Sequence, residues 1–253
     1  MSSATLTRAL GAAALAALVI SPATALAKSP KATESEPRII TVGDPQDPAY
    51  ANAGDNLRNG VGSIFIEFAS GAGFICTASA ISPTHVLTAA HCVTDTSGSG
   101  DTVERLRFVQ SAGRDPAEAL LVDASAFYVP DIYGALLPFL GAFAHGDIAV
   151  VELAEALPED VENYDIYRTP DEFGQETRHY GHGRSGKGNK GATGGADFYY
   201  ARTGLNQYEQ VLEPLLGTGI EDQLVHDFDS GGRKHNAMEW WYTSAFRCAP
   251  EQE

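Results

Sequence analysis

Cys76 to Cys92 reads CTASAISPTHVLTAAHC, and this stretch decides the fold. Small and apolar residues alternate from Phe74 to Ile81, the period of a strand that buries one face. Ser82-Pro83-Thr84 interrupts the run with turn chemistry, and His85–Ala89 (HVLTA) resumes it. The stretch therefore predicts two strands joined by a tight turn. A histidine, His91, follows them immediately before the second cysteine.

On either side the chain keeps to short apolar runs bounded by turn residues. Strands are predicted at Ile39–Val42, Gly62–Ala69, Val103–Val109, Ala119–Val122, Ala126–Val129 and Asp147–Leu153 (DIAVVEL). Further strands are predicted at Arg178–Gly183, Asp197–Thr203 and Gln223–Phe228, and a short helix at Asn206–Leu216. Gly43–Asn59 and Thr94–Asp101 have loop compositions. The apolar Asp131–Ala144 is expected to pack against its neighbours, and the acidic Leu157–Glu176 suits a linker. With 26 glycines and 13 prolines in 253 residues, the expected fold is all-β, a barrel or sandwich.

The first residues stand apart. Arg8 precedes the apolar run Ala9–Ile20, and Ala25-Leu26-Ala27 supplies small residues for cleavage, so Met1–Ala27 is predicted to be a secretory signal peptide. The apolar run is too short to span a bilayer comfortably, and no insertion of the mature chain into a membrane is expected. Lys28–Arg38 (KSPKATESEPR) reads as a disordered leader or propeptide. Without the signal, 16 basic residues face 33 acidic ones, a formal charge of −17. Such a surface repels nucleic acid and anionic lipid. The expected location is secreted or periplasmic, where disulfides persist. Of three cysteines, Cys76 and Cys92 flank one strand-turn-strand segment and are the natural pair, which leaves Cys248 over.

The Cys76–Cys92 segment resembles that of the chymotrypsin/trypsin-like serine proteases, peptidase S1 type, in which two disulfide-linked cysteines flank a β-turn-β unit and the catalytic histidine precedes the second. The cysteine separation equals the family's. Tyr128-Val129-Pro130-Asp131-Ile132-Tyr133 resembles the strand and turn before the family's catalytic aspartate. Gly146-Asp147-Ile148-Ala149 resembles its Asn-Asp-Ile-Ala segment, which puts Asp147 in that role. Phe228-Asp229-Ser230-Gly231-Gly232 contains the Asp-Ser-Gly-Gly core of the nucleophile motif, so Ser230 is the candidate nucleophile. The resemblance implies two six-stranded Greek-key barrels within 39–253. The first is expected at about 60–156 and the second, incomplete, at about 177–237, followed by an atypical tail at 238–253. It implies hydrolysis of peptide bonds in polypeptide substrates through an acyl-enzyme, by a His91/Asp147/Ser230 triad with no cofactor. Nothing in it sets an oligomeric state.

Ser230 carries a second reading. Phe228 and Arg233 replace the motif's glycine and proline, and 23 residues follow Ser230, fewer than the family's remaining strands need. Certain bacterial secreted trypsin-like proteins have Gly-x-Gly-x-Ser-Gly-x-Gly, then Gly-Ala-Thr, then a Tyr-Asp-Phe-Asp-Ser/Asn-Gly strand, all before their nucleophile. Gly181–Gly188, Gly191-Ala192-Thr193 and His226–Gly231 resemble that order. On that reading Ser230 ends a structural strand, and the chain is an inactive or truncated trypsin-like protein, a pseudoprotease or a peptide-binding barrel.

Other signals carry less. Gly181–Gly188 (GHGRSGKG) nearly matches a phosphate-binding loop, but Gly188 stands where a Mg²⁺-binding Ser/Thr belongs, and a glycine-rich connection is expected instead. His179 and His182 lack a third ligand at metal spacing, so no metal is expected. Arg38-Ile39 has the form of a zymogen activation site and equally of an exposed linker arginine.

Overall fold

The computed structural model describes residues 38–41, 43–95, 100–133, 146–188, 190–195, 197–211 and 223–226. Its strands in chain order are β1 (Arg38–Thr41), β2 (Val61–Phe68), β3 (Gly73–Ser82), β4 (His85–Thr88), β5 (Val103–Gln110) and β6 (Leu120–Tyr128). These are followed by β7 (Ala149–Leu153), β8 (Glu176–Lys187), β9 (Gly191–Ala192), β10 (Asp197–Gln207), β11 (Gln210–Val211) and β12 (Leu224–Val225). One helical turn, α1 (Ala90–Val93), follows β4.

Six of these strands close a barrel in the order β2-β3-β4-β7-β6-β5, every neighbouring pair antiparallel. After the run β2-β3-β4 the chain returns to lay β5 beside β2, which is Greek-key connectivity. Alternation explains the closure. Ile64, Ile66 and Phe68 of β2, Ala78 and Ala80 of β3, Val86 of β4, Leu106 and Phe108 of β5, and Val151 and Leu153 of β7 all point into one buried cluster. Gly62 is small because it must be: a Cβ there would stand 2.6 Å from the Phe108 ring.

The start of β2 is buried on both faces. Its outer face is covered by β10: Ser63 Oγ donates to the Phe198 carbonyl at 2.8 Å, and the rings of Phe65 and Phe198 lie 5.7 Å apart. β10 belongs to a second sheet of order β1-β8-β10, with β9 on β8, while β11 and β12 form a separate pair. Among the described residues this sheet does not close.

Leu157–Gln175 is irregular, as its acidic composition predicts, yet it is pinned to the barrel. Leu157 and Val161 join the core, and the Tyr164 N–H donates to the Ala80 carbonyl at 2.8 Å. The Tyr164 hydroxyl accepts from the Gly60 N–H at 3.1 Å, and Arg114 pairs with Asp160 at 2.6 Å.

Several local expectations are corrected. Ala119–Val122 and Ala126–Val129 are one strand, β6, whose pairing with β7 slips between Ala124 and Ala126; a bulge, not a break, produced the gap in the apolar pattern. Gly181–Gly188 is not a connection: β8 runs through to Lys187, and the register shift against β10 is taken up by β10 between Asp197 and Arg202. Asn206 and Gln207 are strand, not helix, because their backbones pair with Thr177 and Glu176 of β8. Arg38, the last residue of the expected leader or propeptide, is ordered as the first residue of β1 and pairs in parallel with Arg184. The predicted signal (1–27), residues 28–37 of the leader, Ser230, Cys248 and the tail lie outside the described residues, as do helix positions 212–216 and 134–144 of the apolar stretch. Among the described residues no helix is long and apolar enough to cross a membrane.

Candidate active site

Strand register brings His91 and Asp147 together. β4 and β7 are antiparallel with Thr88 opposite Ala149, so chain leaving β4 and chain entering β7 meet at the same barrel end. His91 lies just past Thr88 and Asp147 just before Ala149. Beyond Thr88 the chain winds into α1, tightened by Thr94 Oγ1 donating to the Ala90 carbonyl at 2.8 Å. Ala90, Cys92 and Val93 of this turn are buried, which leaves His91 as its one outward side chain. On the other side Gly146 has φ +65°, a conformation glycine and asparagine adopt readily, and a Cβ there would stand 2.7 Å from Ile132. That geometry accounts for the glycine before Asp147.

The Asp147 carboxylate engages His91 through both oxygens. Oδ1 accepts from the His91 backbone N–H at 2.8 Å, and Oδ2 lies 2.7 Å from the ring Nδ1. The His91 and Asp147 side chains are 22% and 14% exposed, open enough to be reached yet largely withdrawn from water. With a carboxylate at Nδ1, the proton sits there and Nε2 keeps its lone pair. The atom nearest Nε2 is Cys92 Sγ at 3.5 Å. Cys92 is disulfide-bonded to Cys76, so this sulfur has no proton to donate to Nε2. The bridge ties β3 to α1, fixing the turn that carries His91.

Two neighbours were not assigned from sequence. Burial pushes the Tyr133 hydroxyl pKa up, with the nearby Asp147 charge adding to it and a hydrogen bond with Thr94 opposing it. Thr77, the residue after Cys76, accepts the His182 N–H on Oγ1 at 2.8 Å and the Thr88 hydroxyl on its carbonyl at 2.9 Å. It thus clamps the second sheet and the end of β4 to the strand that holds the disulfide. A threonine inside an alternating strand gives no sequence signal of this.

The ligand atoms of Cys76, His91 and Cys92 lie within 4.8 Å of one another, but both sulfurs are consumed by the disulfide. His179 and His182 are three apart on β8 and so face opposite sides. The His179 ring sits against those of His226 and Tyr208, at 4.8 and 5.6 Å. His182 is enclosed, and neither ring nitrogen has a hydrogen-bond partner among the described residues. Burial pushes its imidazole down to about 4, with the Asp197 charge and the Phe198 backbone opposing and Arg202 reinforcing the shift. The structure thus brings His91 and Asp147 into contact, while Ser230 lies beyond the described residues.

Residues 52–232, which hold the barrel and every strand of the second sheet but β1, match the family model for trypsin. The chain belongs to the trypsin family. Solved structures agree at the level of fold. A structure described as HL collagenase aligns with a TM-score of 0.51 and 14% identity over 73% of this chain and 70% of its own. Neuropsin, described as a serine protease expressed in the limbic system of mouse brain, aligns at 0.53 and 12% over 72% and 75%. No curated protein matches significantly. Membership in the trypsin family makes this a chain of protease type, and the six-stranded barrel is the trypsin-like β-barrel fold.

Proposed function

We propose that this chain is an exported serine endopeptidase that hydrolyses polypeptides through an acyl-enzyme, with His91 as general base, Asp147 as its orienting carboxylate and Ser230 as nucleophile. The observation that carries this reading is the double hold of Asp147 on His91, at 2.8 and 2.7 Å. It fixes one tautomer, aims the Nε2 lone pair outward and stands ready to stabilise the imidazolium. In the first half-reaction a serine hydroxyl adds to the scissile carbonyl while Nε2 takes its proton. The imidazolium then gives that proton to the leaving amine, and the acyl-serine remains. Water repeats the sequence, with His91 again as base, and releases the acid. No step calls for a cofactor.

A fluorophosphonate probe with intact-mass detection tests the reading. Active enzyme gains one adduct, which disappears in His91→Ala and in Ser230→Ala. Labelling lost in His91→Ala but kept in Ser230→Ala would move the nucleophile to another serine. Folded chain that takes no label would overturn the proposal in favour of a non-catalytic, peptide-binding barrel.

A further inference from the structure

Lysine is scarce in this chain. Of five lysines only Lys187 and Lys190 fall among the described residues, and both line one cleft of about 370 Å³ together with Asp44, Ser185 and Thr193. The backbone forces this convergence. The Lys190 N–H donates to the Lys187 carbonyl at 2.8 Å, so the two lysines close the ends of the tight turn between β8 and β9. The hairpin is drawn so close that a Cβ at Gly186 would stand 1.9 Å from the Gly191 oxygen. Past β9 the chain folds back over β8, with the N–H groups of Thr193 and Gly194 both donating to the Ser185 carbonyl at 3.0 and 2.9 Å.

Two ammonium groups at the ends of one turn repel each other, and among the described residues neither has an ion pair or a side-chain hydrogen bond. Ser185 is 7% exposed and lines the cleft, yet its hydroxyl has no partner among the described residues either. Asp44 is the one carboxylate in the lining. It accepts the Gln46 N–H at 2.9 Å and forms no ion pair with either lysine. The cleft therefore presents donors that have no partner among the described residues, and a net positive lining in a chain whose formal charge is −16. At ordinary salt, charges beyond about 10 Å are screened, so the lining outweighs the distant acidic surface.

We infer that this cleft binds a small oxyanion, a carboxylate, sulfate or phosphate group, between the ammonium groups of Lys187 and Lys190 with Ser185 Oγ as a further donor. The volume admits either a free ion or the acidic end of a polypeptide side chain.

With so few lysines, reductive ¹³C-methylation of the full chain gives a short list of dimethyl-lysine signals that keep their charge. These signals are followed while sodium sulfate, sodium phosphate or an N-acetylated glutamate peptide is added at constant ionic strength. Assignment comes from Lys187→Gln and Lys190→Gln. The expected result is a saturable, joint movement of the Lys187 and Lys190 signals, with half-saturation in the millimolar range. Lys187→Gln abolishes the movement of Lys190, and Asp44→Asn tightens binding several-fold. Saturation by the inorganic ions assigns a free-anion site, and saturation by the peptide alone assigns a polypeptide's carboxylate. Shifts that stay linear with concentration, that are equal on every lysine, or that survive Lys187→Gln would overturn the inference. Thermal melts matching the parent chain establish that each variant is folded.

Discussion

Asp147 holds His91 by two atoms of each residue, ring and backbone at once, and so fixes where the imidazole stands as well as how it is protonated. Asp147→Asn keeps the size and the backbone contact but offers Nδ1 an amide, which favours the wrong tautomer. The expected loss is about 10³–10⁴-fold in kcat/KM on a peptide substrate, with little change in melting temperature. A drop of less than tenfold would mean that His91 is not the base.

Removing the disulfide should cost both stability and activity. Cys76 and Cys92 close a loop with a sequence separation of 16, for which the loss of chain restriction amounts to about 3 kcal/mol. Cys76→Ser/Cys92→Ser is expected to show that loss in urea titration. Its labelling by a fluorophosphonate should slow even where the chain remains folded, because α1 is no longer tied to β3.

His182 makes the fold acid-sensitive. Burial pushes its imidazole pKa down to about 4, against the ordinary 6.5 of the unfolded chain. Because the folded value is depressed, the unfolded chain binds the proton first. The stability contributed by neutral His182 is full above pH 6.5 and is lost as pH falls toward 4. The loss approaches about 3 kcal/mol. In urea titrations across that range, His182→Phe should show a shallower fall than the parent; parallel curves would exclude the effect.

Tyr164 contributes on the alkaline side. Its hydroxyl accepts the Gly60 N–H, and burial holds its pKa up at about 12. Since the folded value is raised, the contribution is present below pH 10 and is lost as pH rises through about 12. Tyr164→Phe should lower stability at neutral pH by about 1–2 kcal/mol, because the Gly60 N–H loses its acceptor. The same variant should flatten the decline above pH 10 in melting experiments.

The local pattern was readable because it is written in consecutive residues. The alternation through Phe74–Ala89 and Asp147–Leu153 reports burial of one face directly, and β3, β4 and β7 follow it closely. The motif around His91 and the apolar run after Asp147 likewise sit within short segments. Failures came where a partner strand decided the outcome. A bulge against β7 made β6 look like two strands, and pairing with β8 held Asn206–Gln207 extended against their local preference.

By itself, then, the sequence determined an all-β chain, a cysteine pair and three candidate residues, His91, Asp147 and Ser230, the first two 56 apart. Only the tertiary structure decided that those two touch. Contact depends on the register of β4 against β7, Thr88 opposite Ala149, and register is a property of two strands together. The same holds for the enclosure of His182 and for the approach of Asp44 to the turn that carries Lys187 and Lys190. Burial and convergence arise when distant segments pack, and no single segment encodes them.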